Sequence, residues 1–306
     1  MRCLVTGGAG FIGSNLVNRL IKDGHDVIIV DDLSTGDGDK IHPKAKAWIM
    51  DISDVNEDWE EIFDNVDVVF HTAAKARVQP SIKNPMEFNN VNVSGTLNML
   101  KCCVDYGVHR FIYSSSSSVY GNVEEKDLPT SENQKLNPMS PYALQKLIGE
   151  QYCRLFSELY GLETICLRYF NVYGDGMSLE GAYKLVIPIF TEQMLKGAPM
   201  TIRGDGEQRR DFTYVGDVVE ANIKCMDYPL ELNGEPVNIG NGDNRSISQI
   251  ADMMGGSRMH VEPVIEPRET LANNDRAKIF LGWKTTMKIE DWIKTYKEKI
   301  GLWNTI

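Results

Sequence analysis

Short apolar runs alternate with longer stretches of helical periodicity through the first half of the chain. Cys3 to Val5, Val27 to Val30, Ala47 to Met50, Val66 to Phe70, Phe111 to Tyr113 and Ile165 to Leu167 read as buried strands, since continuous apolar runs of this length suit a sheet covered on both faces. Between them the spacing predicts helices over Ile12 to Lys22, Pro85 to Tyr106 and Ser140 to Tyr160, ending near Gly24, Gly107 and Gly161, as helix stops do. Such alternation means an α/β fold with a parallel sheet wrapped by helices. After Gly174 the pattern loosens into a helix near Lys184 to Lys196, a helix from Val215, a strand Val237 to Ile239, and helical stretches Ser246 to Met254 and Ile289 to Ile300. The helix from Val215 and the strand after it are expected to return to the sheet. One domain would then hold residues 1–174 plus 214–240, and a smaller, discontinuous α/β domain 175–213 plus 241–306.

Between the first apolar run and the first helix stands Gly8-Ala9-Gly10-Phe11-Ile12-Gly13, a G-x-G-x-x-G preceded by Thr6-Gly7. In that context glycines let backbone amides approach a pyrophosphate at a helix N-terminus, where unpaired N–H groups and the helix dipole favour negative charge. The next strand ends at Asp31, about 20 residues on, where an acidic side chain hydrogen-bonds the adenosine ribose and repels a 2'-phosphate. NAD is therefore expected over NADP, on a doubly wound sheet of Rossmann type. Asp32 is the alternative ribose partner, and either aspartate could instead open the turn Leu33-Ser34-Thr35-Gly36.

The 306 residues, 42% of them hydrophobic, carry a formal net charge of -11. They suffice for a full core in one large or two modest domains. The acidic balance argues against nucleic-acid partners and anionic membranes, so an anionic ligand needs locally concentrated arginines. No apolar run approaches the roughly 18 residues of a membrane span, and Met1 leads straight into the first strand; a cytoplasmic location is expected. The six cysteines lack metal-ligand spacing with one another or with the five histidines, so packed, reduced thiols and no metal site are expected.

The most informative segment is Tyr142-Ala143-Leu144-Gln145-Lys146. A phenol has a free pKa of about 10 and needs help to act as a base near neutrality. Positions four apart share a helix face, so the Lys146 ammonium lies one turn from the ring and is expected to lower its pKa. Ser140 is a plausible N-cap and Pro141 a helix-start proline. The serine run ending Ser116-Ser117-Ser118-Val119-Tyr120-Gly121 supplies hydroxyls for the same site.

Thr6 to Gly13, Asp51-Ile52, His71 to Ala74, Asn92 to Thr96, Ser114 to Gly121, Tyr142 to Lys146, Arg168 to Asn171 and Arg210 to Phe212 together resemble the extended short-chain dehydrogenase/reductases, in their nucleotide-sugar epimerase branch. The resemblance spans nearly the whole chain. It implies that Ser116 hydrogen-bonds the reacting oxygen of substrate, Tyr142 is the acid/base, and Lys146 binds the nicotinamide ribose and tunes Tyr142. Cofactor contacts would fall on Gly7, Gly10, Phe11, Ile12, Gly13, Asp31, Asp32, Asp51, Ile52, Ala73, Ala74, Asn92, Ser114 and Tyr169. Asp51 and Ile52 would line the adenine pocket, and Asn92 would support the site from a helix. Substrate contacts would fall on Ser116, Ser117, Asn171, Arg210, Arg268 and Thr270, with Asn171 and Arg210 at the diphosphate. Arginine suits that place through bidentate bonds.

Relatives that eliminate water, decarboxylate, or epimerise C3 or C5 carry an acidic residue or a cysteine just after the hydroxyl residue. Ser117 and Ser118 stand there, so the resemblance implies hydride chemistry with only O–H proton transfer. A UDP-sugar would be oxidised at C4, turned about its diphosphate, and reduced on the other face, regenerating NAD. Thr270, where the family closes the pocket with a bulkier residue, implies room for N-acetylhexosamines. A UDP-glucuronate 4-epimerase, a 4-ketoreductase and a silent NAD sensor are the alternatives. The segment Glu262 to Arg268 is shorter than usual, leaving Arg268 open as the second phosphate-binding arginine. Lys75 and Arg77 replace neutral residues, as substrate contacts or solvated loop charges. The long helices near 85–106 and 140–160 resemble those of a family homodimer, with Leu144, Leu147, Ile148 and Leu155 available to it.

Overall fold

The computed structural model describes residues 1–178, 185–229, 231–264 and 266–302. The apolar runs pair as their alternation requires. Strands β1 (Arg2–Thr6), β2 (Asp26–Asp31), β3 (Lys46–Ile49), β4 (Val68–His71), β5 (Arg110–Ser116) and β6 (Glu163–Tyr169) join Pro236–Ile239 in a seven-stranded sheet. The order is Pro236–Ile239, β6, β5, β4, β1, β2, β3, and every pair is parallel. Every residue of β4 and β6 is buried, as expected of strands covered on both faces. The order reverses between β1 and β4, so the connections leave in opposite directions and open a crevice at the strands' carboxyl ends.

Helices close both faces. Leu16, Val17 and Leu20 of Phe11–Lys22 pack with Val218 and Ile223 of Val215–Met226 against Val5, Ile29 and Leu167. On the other face, Met99 and Cys103 of Thr96–Asp105 and Cys153 and Phe156 of Pro141–Tyr160 meet Leu4, Ile28, Phe111 and Tyr113. A separate core joins Phe190, Ile250, Met254 and Trp292 from helices Val186–Leu195, Ile247–Met254 and Ile289–Lys299. The helix expected from Lys184 is seen over Val186–Leu195, Lys184 itself lying outside the described residues. All six cysteines are unpaired and buried. Among the described residues, no helix is long and apolar enough to cross a membrane.

One expected element differs. The run Pro85 to Tyr106 is not a single α-helix: Pro85–Asn89 passes into a π-helical segment, Asn90–Gly95, before Thr96–Asp105 resumes the α form. The wider turn lets the Asn92 amide serve two neighbours. It accepts from Lys75 N at 2.9 Å and donates to Lys75 O and Gln145 Oε1, each at 2.9 Å. A buried amide so satisfied offsets a weaker helical ladder. Nothing in Asn-Val-Asn-Val-Ser-Gly breaks helical periodicity, so the sequence carries no signal for it. A short helix, Val78–Lys83, precedes this run.

Beneath this segment His71 is fully buried. Thr96 Oγ1 donates to Asn92 O at 2.7 Å and lies 3.0 Å from His71 Nε2, while Thr6 Oγ1 lies 2.9 Å from Nδ1. Because the Thr96 proton is committed, Nε2 carries the ring proton and Nδ1 accepts from Thr6. Burial, aided by Lys146, draws the imidazole down to about 3, so it stays neutral and ties β1, β4 and Thr96–Asp105 together.

Candidate active site

The glycine loop turns at Gly7, where φ is 70°. A Cβ there would lie 2.7 Å from Ala73 N, and one on Gly13 would lie 2.1 Å from Gly7 O. The loop thus folds tightly onto itself and onto the chain after β4. Helix Phe11–Lys22 begins at Gly10 with no side-chain cap, leaving amides free for an anion. Asp31, at the end of β2, accepts from Ala9 N at 3.0 Å and Leu33 N at 2.9 Å. Burial pushes its carboxyl up, against the pull of those two bonds. Asp32 Oδ1 accepts from Ser34 N at 2.9 Å and Ser34 Oγ at 2.7 Å. Both aspartates therefore shape the turn while also lining the cleft.

That cleft, of about 860 Å³, runs from the glycine cradle along the carboxyl ends of β1, β4 and β5 to Arg210. Gly7, Gly10, Phe11, Ile12, Gly13, Asp31, Asp32, Asp51, Ile52, Ala73, Ala74, Ser116, Ser117, Tyr142, Tyr169, Asn171, Arg210 and Thr270 all line it. A glycine-rich cradle at a helix N-terminus, with carboxylates at the neighbouring strand end, fits the pyrophosphate and ribose of NAD. Four of the expected residues do not face the cleft. Asn92, Ser114 and Lys146 lie buried beneath its wall. Arg268 is exposed and donates to Asp205 Oδ1 at 2.8 Å.

Tyr142 sits at the start of helix Pro141–Tyr160. Ser140 caps that helix, its Oγ accepting from Ala143 N at 3.2 Å. Tyr142 N donates to Ser81 Oγ at 3.1 Å, pinning the helix start to Val78–Lys83. The Ser116 hydroxyl accepts from Ser118 N at 3.2 Å and lines the cleft together with the Tyr142 phenol. Burial pushes that phenol above its ordinary value, while Ser116 and the Arg77 guanidinium pull it back. Lys146 Nζ donates to Ser114 O at 2.7 Å and lies 4.9 Å from the Tyr113 ring centre. Burial draws its ammonium down to about 8, so its charge persists at neutral pH and is lost as pH rises through that value. The cation that draws Tyr142 down is Arg77, which the sequence left open as a substrate contact or a solvated loop charge, and Lys146 is engaged with the β5 backbone.

At the far end Asn171 Nδ2 donates to Asp211 O and to Thr270 Oγ1, each at 3.3 Å. Arg210 Nη2 donates to Glu266 Oε2 at 2.6 Å. Asp211 below accepts from the backbone N–H groups of Asn241, Gly242 and Ala272, and burial raises its carboxyl to about 7. Glu266 was missed by sequence reasoning because its role depends on a contact 56 residues distant.

Residues 3–240 match the family described as NAD dependent epimerase/dehydratase. The chain belongs to that family. The UDP-glucose 4-epimerase of Mycolicibacterium smegmatis is 35% identical over 309 residues, covering 96% of each chain. The structure of the Thermotoga maritima UDP-glucose 4-epimerase with UDP-glucose is similar with a TM-score of 0.90 at 36% identity, over 98% of this chain and 99% of that one. The Bacillus cereus UDP-glucuronic acid 4-epimerase, solved with UDP-glucuronic acid and NAD, is 29% identical with a TM-score of 0.88, over 99% of each chain. The family uses NAD, and this member, like its named relatives, is an isomerase of the extended short-chain dehydrogenase/reductase type.

Proposed function

We propose that the protein is a UDP-sugar 4-epimerase that interconverts C4 epimers through a transient 4-keto sugar. The observation that carries this is the meeting of Ser116 and Tyr142 on the wall of the cleft that also holds the glycine cradle and Arg210. Bound NAD supplies hydride exchange with the sugar carbon. The Tyr142 phenolate takes the proton from the sugar 4-hydroxyl and later returns it, and Ser116 orients that oxygen. Lys146, buried behind the wall, would reach the nicotinamide ribose by leaving its bond to Ser114 O. Asn171 and Arg210 hold the diphosphate, so the hexose beyond it is free to turn. Residues 1–174 plus 214–240 would carry the cofactor, and 175–213 plus 241–306 the nucleotide sugar. The small Thr270 side chain supports acceptance of N-acetylhexosamines beside glucose and galactose.

A second reading, a hexuronate substrate, is favoured by Arg77 and Lys75 in the lining and by the buried Ser118 hydroxyl without a hydrogen-bond partner among the described residues. Incubating the purified protein, without added cofactor, with UDP-glucose, UDP-N-acetylglucosamine and UDP-glucuronate, and resolving C4 epimers by NMR, tests both readings. Turnover of none of the three defeats the proposal, whereas a need for added cofactor at each turnover points to a ketoreductase.

Glu266 bears on affinity. Arg210 is paired with it, and an entering diphosphate must displace the carboxylate. Glu266→Gln is expected to lower KM for the nucleotide sugar by roughly threefold with kcat unchanged, the scale of a partly exposed ion pair. Steady-state kinetics check this.

A homodimer through the helices near 85–106 and 140–160 is supported by exposed Leu144, Leu155 and Leu159 on one and Met86 on the other. Their spacing along Pro141–Tyr160 makes a stripe suited to a partner helix.

A further inference from the structure

We propose that Arg77 is a positioning residue for proton transfer, its guanidinium serving as counter-ion to the Tyr142 phenolate. The inference rests on the epimerase reading above and goes beyond it. Arg77 lines the same cleft as Tyr142 and Ser116. Its backbone is held at φ 99°, a conformation that residues with a Cβ rarely adopt and that persists only where the surroundings impose it. The chain is pinned on both sides of that strained point. Arg77 O accepts from Ser81 N at 3.4 Å, and Ser81 Oγ accepts from Tyr142 N at 3.1 Å. Guanidinium and phenol are therefore carried on elements fixed to one another.

The electrostatics agree with the geometry. Burial lowers Arg77 while Tyr142 raises it, and Arg77 in turn draws Tyr142 down against burial. The other groups around the phenol leave this role open. Ser116, from β5, draws the phenol down but is an uncharged hydroxyl. Tyr113, deeper on β5, is a neutral phenol that burial pushes far up. Lys146 is held at Ser114 O, and Lys75 at the rim pairs with Glu87 Oε1 at 2.9 Å. Arg77 keeps its charge at every working pH, whereas Lys146 begins to lose its own near 8.

The test reads the phenol itself. NAD-loaded protein labelled at tyrosine Cζ is titrated by carbon NMR, with the Tyr142 signal assigned by its absence from Tyr142→Phe. Arg77→Met is expected to raise the Tyr142 pKa by about one unit or more, and to reduce kcat about tenfold at neutral pH with KM little changed. Arg77→Lys should restore most of the shift, and its comparison with Arg77→Gln serves if the methionine variant does not fold. Folded variants that titrate with the parent overturn the proposal, even if their turnover falls. Because the titration needs no substrate, failure of the UDP-sugar panel would strike the epimerase reading while leaving the Arg77–Tyr142 pairing to be judged by its own shift.

Discussion

Tyr142→Phe is expected to lower kcat about a thousandfold while leaving NAD retention unchanged and KM within about twofold. The substitution removes one oxygen and keeps the ring that lines the cleft. The Ser81 bond to the Tyr142 backbone amide and the Ser140 cap remain, so the helix start stays in place. Lys146 donates to Ser114 O rather than to the phenol, so its own contact is undisturbed. Only the proton acceptor is lost, and no other group on the wall replaces it: Ser116 lacks a base of its own, and Arg77 holds its proton throughout. The pH dependence carries the same sign. Burial holds the Tyr142 phenol above its ordinary value, so the basic form is scarce at low pH. The parent's kcat should climb with unit slope as pH rises, until Lys146 begins to lose its charge near 8, and the variant's residual rate should not. Activity within about tenfold of the parent would remove Tyr142 from the chemistry.

How much of this the sequence disclosed follows from the range of the interactions concerned. The glycine loop, the strand-end aspartates and the Tyr142–Lys146 spacing are local patterns, set by one turn of helix or one loop, and all but Lys146 meet along one cleft. The cradle's need for glycine is legible because the motif itself brings Gly7 and Gly13 together. Helix Pro141–Tyr160 is equally legible, since Ser140 and Pro141 mark its start and Gly161 its end. The π-helical turn at Asn90–Gly95 is not, because its cause is the pair of partners offered to Asn92 by a loop and a helix far off in sequence. Arg77 and Glu266 were opaque for the same reason. Each is a charge on a loop, and only folding decides whether it meets Tyr142 or Arg210 or water. Arg268 shows the reverse: a position consistent with phosphate binding in the chain is exposed and paired with Asp205.

Glu150→Ala should destabilise the fold by about 3–5 kcal/mol, the cost of leaving a buried charge without its partner, and lower Tm by roughly 10 °C. Glu150 and Arg168 have side chains only 4% and 3% exposed. Arg168 Nε and Nη2 reach the two carboxylate oxygens at 2.8 and 2.6 Å. Nη1 donates to the Tyr120 hydroxyl at 2.8 Å, and that hydroxyl donates to Asn238 Oδ1 at 2.7 Å. The network therefore fastens helix Pro141–Tyr160 to β6 and to the strand Pro236–Ile239 directly behind the serine strand, where Ser115 Oγ donates to the same carboxylate. Removing the carboxylate strands the guanidinium, while removing both charges with Glu150→Leu and Arg168→Met spares that cost. The double variant should accordingly lose less stability than Glu150→Ala alone in urea denaturation. Glu150 lies one turn beyond Lys146, and after Cys153 it is the group that holds that ammonium up against burial. Glu150→Gln should let the Lys146 pKa fall below about 8, so that its charge is lost at a lower pH and the alkaline limit of activity moves down. Equal destabilisation of single and double variants would show that packing, not the stranded charge, sets the cost.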